Sequence, residues 1–195
     1  MKMKILPMGD SWASAVCATP QGDVDHRGWP QIIGSNGWAT MFYNGVMGST
    51  AAQWAMNFDN RLEIAKLAPA DVCIVSLLGN DVIHACESGD TAALTMAALT
   101  LGGRALTGVV NVAKKPRTLV MIYADPFGGK QALVNKWLPV VNAQITKSVA
   151  GIKGVEIFDT APVLAAPGSF NGVSGHPTAQ GHIALATAFK QRLGL

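Results

Sequence analysis

The chain has 195 residues, 49% of them hydrophobic and 14% charged. That balance excludes a disordered chain and suits a single domain over residues 1–195, large enough to bury roughly 70% of its unfolded surface without disulfides or a structural metal. Fifteen basic and twelve acidic residues leave a net charge of +3, too mild for a nucleic-acid partner, and the one dense basic run, Lys114-Lys115-Pro116-Arg117, reads as a solvated turn.

Lys4 to Met8 is a short apolar run that ends in Gly9-Asp10-Ser11, a strand followed by a turn. The same run is too short for a signal peptide. No stretch of about 18 apolar residues is seen, so no membrane partner is expected and the cytoplasm is the default location. Gly22 to Gly37 is dense in Gly, Pro, Asp and Asn and reads as a long loop. Trp38 to Tyr43 is a short strand. Ser49 to Leu67 has helical spacing, with Ser49 or Thr50 as N-cap and Pro69 as terminator.

Asp71 to Leu78 is almost continuously apolar, the pattern of a strand buried on both faces. Thr91 to Val112 reads as a helix with a break at Gly102-Gly103. Thr118 to Tyr123 is a second buried strand. Lys130 to Ala150 is helical, kinked or split at Pro139. Val155 to Phe158 is a last strand, and Pro177 to Leu193 a last helix with proline in its first turn. Five strands alternating with helices predict an α/β fold, a mostly parallel sheet covered by helices on both faces. In such sheets ligands bind beyond the carboxyl ends of the strands. The polar clusters Gly9-Asp10-Ser11, Gly79-Asn80-Asp81, Asp125 and the His176 loop all follow apolar runs, so they gather on that edge.

Chemistry can be assigned to four of these residues. Ser11 follows a strand and offers a hydroxyl, which needs a base to become a nucleophile. His176, in a loop just before the last helix, is the best placed base. Acyl transfer also needs donors aimed at the developing oxyanion. The Ser11 N–H, the Gly48 N–H and the Asn80 side-chain amide supply them. Taken singly, Ser11 is a helix cap, Gly48 and Asn80 are turn formers and His176 is a surface histidine. In order and at strand ends they make a constellation.

The sequence resembles the SGNH/GDSL hydrolase superfamily along its whole length. Gly9-Asp10-Ser11 is similar to the first block of that family and Asn44-Gly45-Val46-Met47-Gly48-Ser49-Thr50 to the second. Gly79-Asn80-Asp81 is similar to the third block, and His176-Pro177 with Gly181-His182 to the last. The resemblance implies a three-layer α/β/α sandwich of flavodoxin-like type around a five-stranded sheet. It also implies ester hydrolysis through an acyl-serine, with neither metal nor organic cofactor.

One position departs from the pattern. Where the family places Asp three residues before the histidine, this chain has Val173. A Ser11–His176 dyad is therefore expected, the imidazole oriented by a carbonyl of the 172–175 loop or by Asn171. Trp12, beside Ser11, and Asp125, at a strand end, are candidate substrate contacts. His182 reads as a packing histidine, and His26 and His84 as loop residues. Cys17, Cys73 and Cys86 form no metal-binding spacing. The expected substrate is a small-molecule or carbohydrate ester of a short acyl group such as acetate. The alternative is a weakened relative of the family that binds carbohydrate or serves a structural role.

Overall fold

The computed structural model describes residues 1–14, 27–88, 92–126, 128–170, 172 and 175–195. Strand β1 (Lys4–Gly9) leads into a single 3-10 turn at Ser11–Ala13, and helix α1 (Trp29–Ser35) follows. Two short strands, β2 (Thr40–Met41) and β3 (Asn44–Gly45), precede helices α2 (Ala51–Ala55) and α3 (Arg61–Leu67). Next come β4 (Val72–Ser76), α4 (Gly79–Glu87) and α5 (Ala92–Ala113). The chain ends with β5 (Arg117–Ile122), α6 (Ala132–Val149), β6 (Val155–Asp159) and α7 (Ala179–Leu193).

All strand pairs are parallel. The order is β2-β1-β4-β5-β6, and β3 pairs with β1 on the same edge as β2. Among the described residues there are thus six strands in five lanes, one more strand than expected, because the edge lane is interrupted between Met41 and Asn44. β1 and β4 are neighbours, yet their connections leave in opposite directions, toward β2 and toward β5. The carboxyl ends of β1 and β4 flank a topological switch point, where open α/β sheets bind ligands. Every residue of β4 is buried, as two-sided burial demands. α1 packs on α7, while α5 packs against α2, α3, α4 and α6. Helices cover the sheet in these two groups.

Several local expectations need correction. The Gly22–Gly37 stretch contains α1, because Pro30 sits in the first turn with its φ already helical. Trp29 is fully buried against Phe189, the ring centroids 4.4 Å apart. Residues 22–26 of that stretch, with His26, lie outside the described residues, as does Cys17. The helix expected over Ser49–Leu67 is two helices: Asn57, Asp59 and Asn60 take left-handed φ of 55°, 47° and 58° between them. Asn and Asp tolerate that conformation best among residues with a side chain. Thr50 is the N-cap of α2, in a capping box with Gln53.

Gly102 and Gly103 do not break α5; they let it lie close to its neighbours. A Cβ at Gly102 would sit 2.4 Å from the Leu78 side chain, and one at Gly103 2.3 Å from Gln144. By length and composition α5 could cross a membrane, contrary to expectation, but Leu99, Leu106, Val109 and Val110 are buried in the core. α6 runs unbroken through Pro139, which lies on an exposed face where water can serve the carbonyl that proline frees. Pro177 stands before α7, whose N-cap is Thr178. His84 lies on α4, not in a loop.

The crossing of β1 and β4 at Gly9 is the tightest constraint near the switch point. Gly9 has a φ of +120°, and a Cβ there would lie 1.9 Å from the Ser76 carbonyl oxygen. Gly9→Ala is expected to cost about 3 kcal/mol or more in denaturant unfolding, through strain and overlap together. A loss below about 1 kcal/mol would contradict this placement.

Candidate active site

The turn after β1 carries Ser11. The Asp10 N–H donates to the Ser76 carbonyl at 2.7 Å, and the Asp10 carboxylate caps the turn by accepting from the Trp12 N–H at 3.0 Å. Ser11 Oγ then lies 2.7 Å from His176 Nε2, across 165 residues of chain. The histidine is half-buried, and desolvation lowers its pKa below 6.5. At neutral pH the imidazole is therefore neutral, and with its proton on Nδ1 it can accept a proton at Nε2.

Beneath Ser11 lies a buried polar knot. Asp10 Oδ1 accepts from the Ser76 hydroxyl at 2.6 Å and Oδ2 from the Tyr123 hydroxyl at 2.5 Å. The Tyr123 oxygen in turn accepts from the Gly79 N–H at 3.4 Å. Burial pushes the Asp10 carboxyl up to about 6 against the pull of its three hydrogen bonds, and pushes Tyr123 well above 10. Ser76 and Tyr123 were not picked out from the sequence. Each is the first polar residue at the end of an apolar strand run, and that was the available signal.

Asn80 stands in the first turn of α4. The residue before that helix, Leu78, has a φ of +96°, a strain of about 1–3 kcal/mol in a residue with a side chain. Close packing on Gly102 holds it there. Asn80 Nδ2 donates to the Ser49 carbonyl at 3.0 Å, and the amide's second N–H is left to donate elsewhere. Gly48 is an exposed turn residue at φ +72°, with open space where a Cβ would stand. Asp81 ties the two segments together: its carboxylate accepts from the N–H groups of Ala51 at 2.8 Å and Ala52 at 3.3 Å. Ser49 Oγ donates to the Gly9 carbonyl at 3.1 Å, which fixes the Gly48 turn to the end of β1.

Trp12 holds the opposite side. Its indole N–H donates to the Gly175 carbonyl at 3.1 Å, one residue before His176. Its carbonyl accepts from the Trp29 indole at 2.6 Å, and the Trp29 N–H donates to His182 Nδ1 at 3.3 Å. The Trp12 ring is buried edge-on against Tyr123, and Trp12 both lines the cleft and braces the His176 loop. His182 is a buried acceptor in α7. Asp125 does not line the cleft; its carboxylate accepts from the Gly129 N–H at 2.6 Å and closes a turn, while Ala124 and Pro126 on either side do line it. Asn171 and Val173 lie outside the described residues.

Ser11, Asn80 and His176 open onto one cleft of about 770 Å³ between α4 and α6. A hydroxyl beside a neutral imidazole, with amide donors at hand, can attack an electrophilic carbon and stabilise the charge that results.

Comparison with known proteins gives the family and the fold. The model of the GDSL-like lipase/acylhydrolase family matches residues 8–184. A lipase from a goat rumen metagenome superposes with a TM-score of 0.72 at 16% identity, over 97% of this chain and 96% of its own. An acetylxylan esterase from Geobacillus stearothermophilus gives 0.73 at 17% identity, over 99% and 94%. At such identities the likeness is one of fold. No curated protein matches the chain significantly in sequence.

Tyr123→Phe keeps the ring against Trp12 and removes one donor to Asp10. It is expected to lower unfolding free energy by about 1–3 kcal/mol, because a buried carboxylate loses a partner. Unchanged stability in a denaturant titration would contradict the knot.

Proposed function

The chain belongs to the GDSL-like lipase/acylhydrolase family and is a carboxylic ester hydrolase, and we propose that Ser11 is its nucleophile and His176 its general base. In this reading His176 Nε2 takes the Ser11 proton as Oγ attacks the ester carbonyl carbon. The tetrahedral oxyanion is held by the N–H groups of Ser11 and Gly48 and by the Asn80 amide. The intermediate collapses, His176 passes its proton to the departing alcohol, and an acyl-serine remains. Water repeats the sequence, with His176 as base and then acid, and releases the acid product. No step calls for a cofactor.

The single observation that carries the proposal is the 2.7 Å contact between Ser11 Oγ and His176 Nε2. In the usual triad a carboxylate holds the tautomer and steadies the imidazolium. Here Val173 stands where the family has Asp, and a dyad is proposed, with the His176 loop braced by Trp12. The substrate proposed is an ester of a short acyl group such as acetate, on a carbohydrate alcohol. The fold shared with an acetylxylan esterase supports that choice, and the fold shared with a lipase supports a longer chain.

Ser11→Ala and His176→Ala are each expected to lower kcat at least about a thousandfold, and Asn80→Ala about 10²–10³-fold. For the native chain kcat/KM should fall on the acid side with a midpoint below 6.5, because the base must be neutral and burial lowers its pKa. An acid limb centred above 7, or a His176→Ala variant as active as the native chain, would contradict the assignment.

A further inference from the structure

Three residues stand immediately before the three side chains proposed for catalysis: Asp10 before Ser11, Gly79 before Asn80 and Gly175 before His176. One side chain, Tyr123, is tied to all of them. Its hydroxyl donates to Asp10 Oδ2 at 2.5 Å, and its oxygen accepts from the Gly79 N–H at 3.4 Å. Its ring meets Trp12 edge-on at 5.2 Å, and the Trp12 indole holds the Gly175 carbonyl. We propose that Tyr123 is a positioning residue for ester hydrolysis, the strut that sets the spacing between the Ser11 hydroxyl and the Asn80 amide. Its role rests on Ser11 acting as nucleophile and Asn80 as oxyanion donor.

The strut is rigid at its base. Tyr123 directly follows β5, and Asn142 of α6 clamps its backbone twice. The Tyr123 N–H donates to Asn142 Oδ1 at 2.9 Å, and Asn142 Nδ2 donates to the Tyr123 carbonyl at 2.8 Å. The Thr160 hydroxyl accepts from the next N–H, that of Ala124, at 2.9 Å. The side chain turns on only two torsions and is buried, so its tip has little freedom. There one hydroxyl does two jobs: its proton goes to the turn after β1, and its lone pair receives the start of α4. Burial holds the phenol well above its ordinary pKa, so the donor to Asp10 persists at neutral and mildly alkaline pH. α4 needs the acceptor, because its N-cap, Leu78, makes no side-chain cap for the first turn. Gly79 is small for the same contact, since a Cβ there would lie 3.1 Å from the Tyr123 ring. A misplacement of about 1 Å can cost about 100-fold in rate, so the reach of one tyrosine is felt at the ester carbonyl.

The test is a double-mutant cycle read in kcat and KM for p-nitrophenyl acetate. Tyr123→Phe keeps the ring and removes both bonds at its tip. Its kcat is expected to fall about tenfold or more, with KM within about twofold of native. In an Asn80→Ala background the same change should lower kcat less than about twofold further, because the donor that Tyr123 places is already gone. Gly79→Ala covers the case in which Tyr123→Phe fails to fold. It keeps every hydrogen-bonding group, yet ring and helix must part by a few tenths of an ångström. It should lower kcat about threefold or more with unchanged thermal melting, and have little effect in the Asn80→Ala background. Losses in kcat that multiply fully with that of Asn80→Ala would make Tyr123 a structural residue only and overturn the proposal. Native kcat in both single variants, with Ser11→Ala inactive, would overturn it and leave the mechanism standing. A Ser11→Ala variant as active as the native chain would overturn the mechanism and the strut together.

Discussion

A carboxylate buried under the end of the sheet organises this molecule. Asp10 is held by the Trp12 N–H, the Ser76 hydroxyl and the Tyr123 hydroxyl, and these residues follow or close β1, β4 and β5. A charge so placed is costly unless its oxygens are satisfied, and here three donors converge on them. The knot fixes where β1 ends, and therefore where the next residue, Ser11, presents its hydroxyl. It also has a pH signature. The folded pKa, about 6, lies above the ordinary 3.8, so the folded state binds this proton more tightly than the unfolded chain. Asp10's contribution to stability is complete below 3.8 and is lost as pH rises through 6.

From that knot the site is built outward by ties between distant segments. Asp81 caps α2 from α4, Ser49 reaches back to Gly9, and Asn80 grips the Ser49 carbonyl. On the other side Trp12 reaches Gly175 while Trp29 binds both the Trp12 carbonyl and His182 of α7. Each tie spends a polar group that, read alone, looks like a substrate contact or a turn former. The strained backbone at Leu78 belongs to the same economy: α5 comes close enough at Gly102 to hold it, and Asn80 is aimed as a result.

The fold was legible wherever burial leaves a period in the residues. β4 and β5 announce themselves because both faces are covered, and the polar residues that follow them mark the carboxyl edge. Ser11, Asn80 and His176 could be gathered from that reasoning alone. What escaped was set by contacts that leave no period. Trp29 and Pro30 start a helix inside a Gly- and Pro-rich stretch because the indole has a core to enter. Gly102 and Gly103 read as a break although close packing needs them small. Asn57, Asp59 and Asn60 end a helix by taking left-handed φ, which apolar spacing does not record. Asp125 stands outside the cleft lining, its carboxylate closing a turn with Gly129, which its place at a strand end does not reveal. Ser76 and Tyr123 stayed hidden because their partner, Asp10, is distant along the chain.

The central claim concerns one hydroxyl made reactive by one imidazole. Intact-mass analysis after treatment with a fluorophosphonate, followed by peptide mapping, tests it most directly. The account predicts a single adduct on Ser11, formed far more slowly in His176→Ala and absent in Ser11→Ala. An unmodified chain, or an adduct mapped to any other residue, would contradict it.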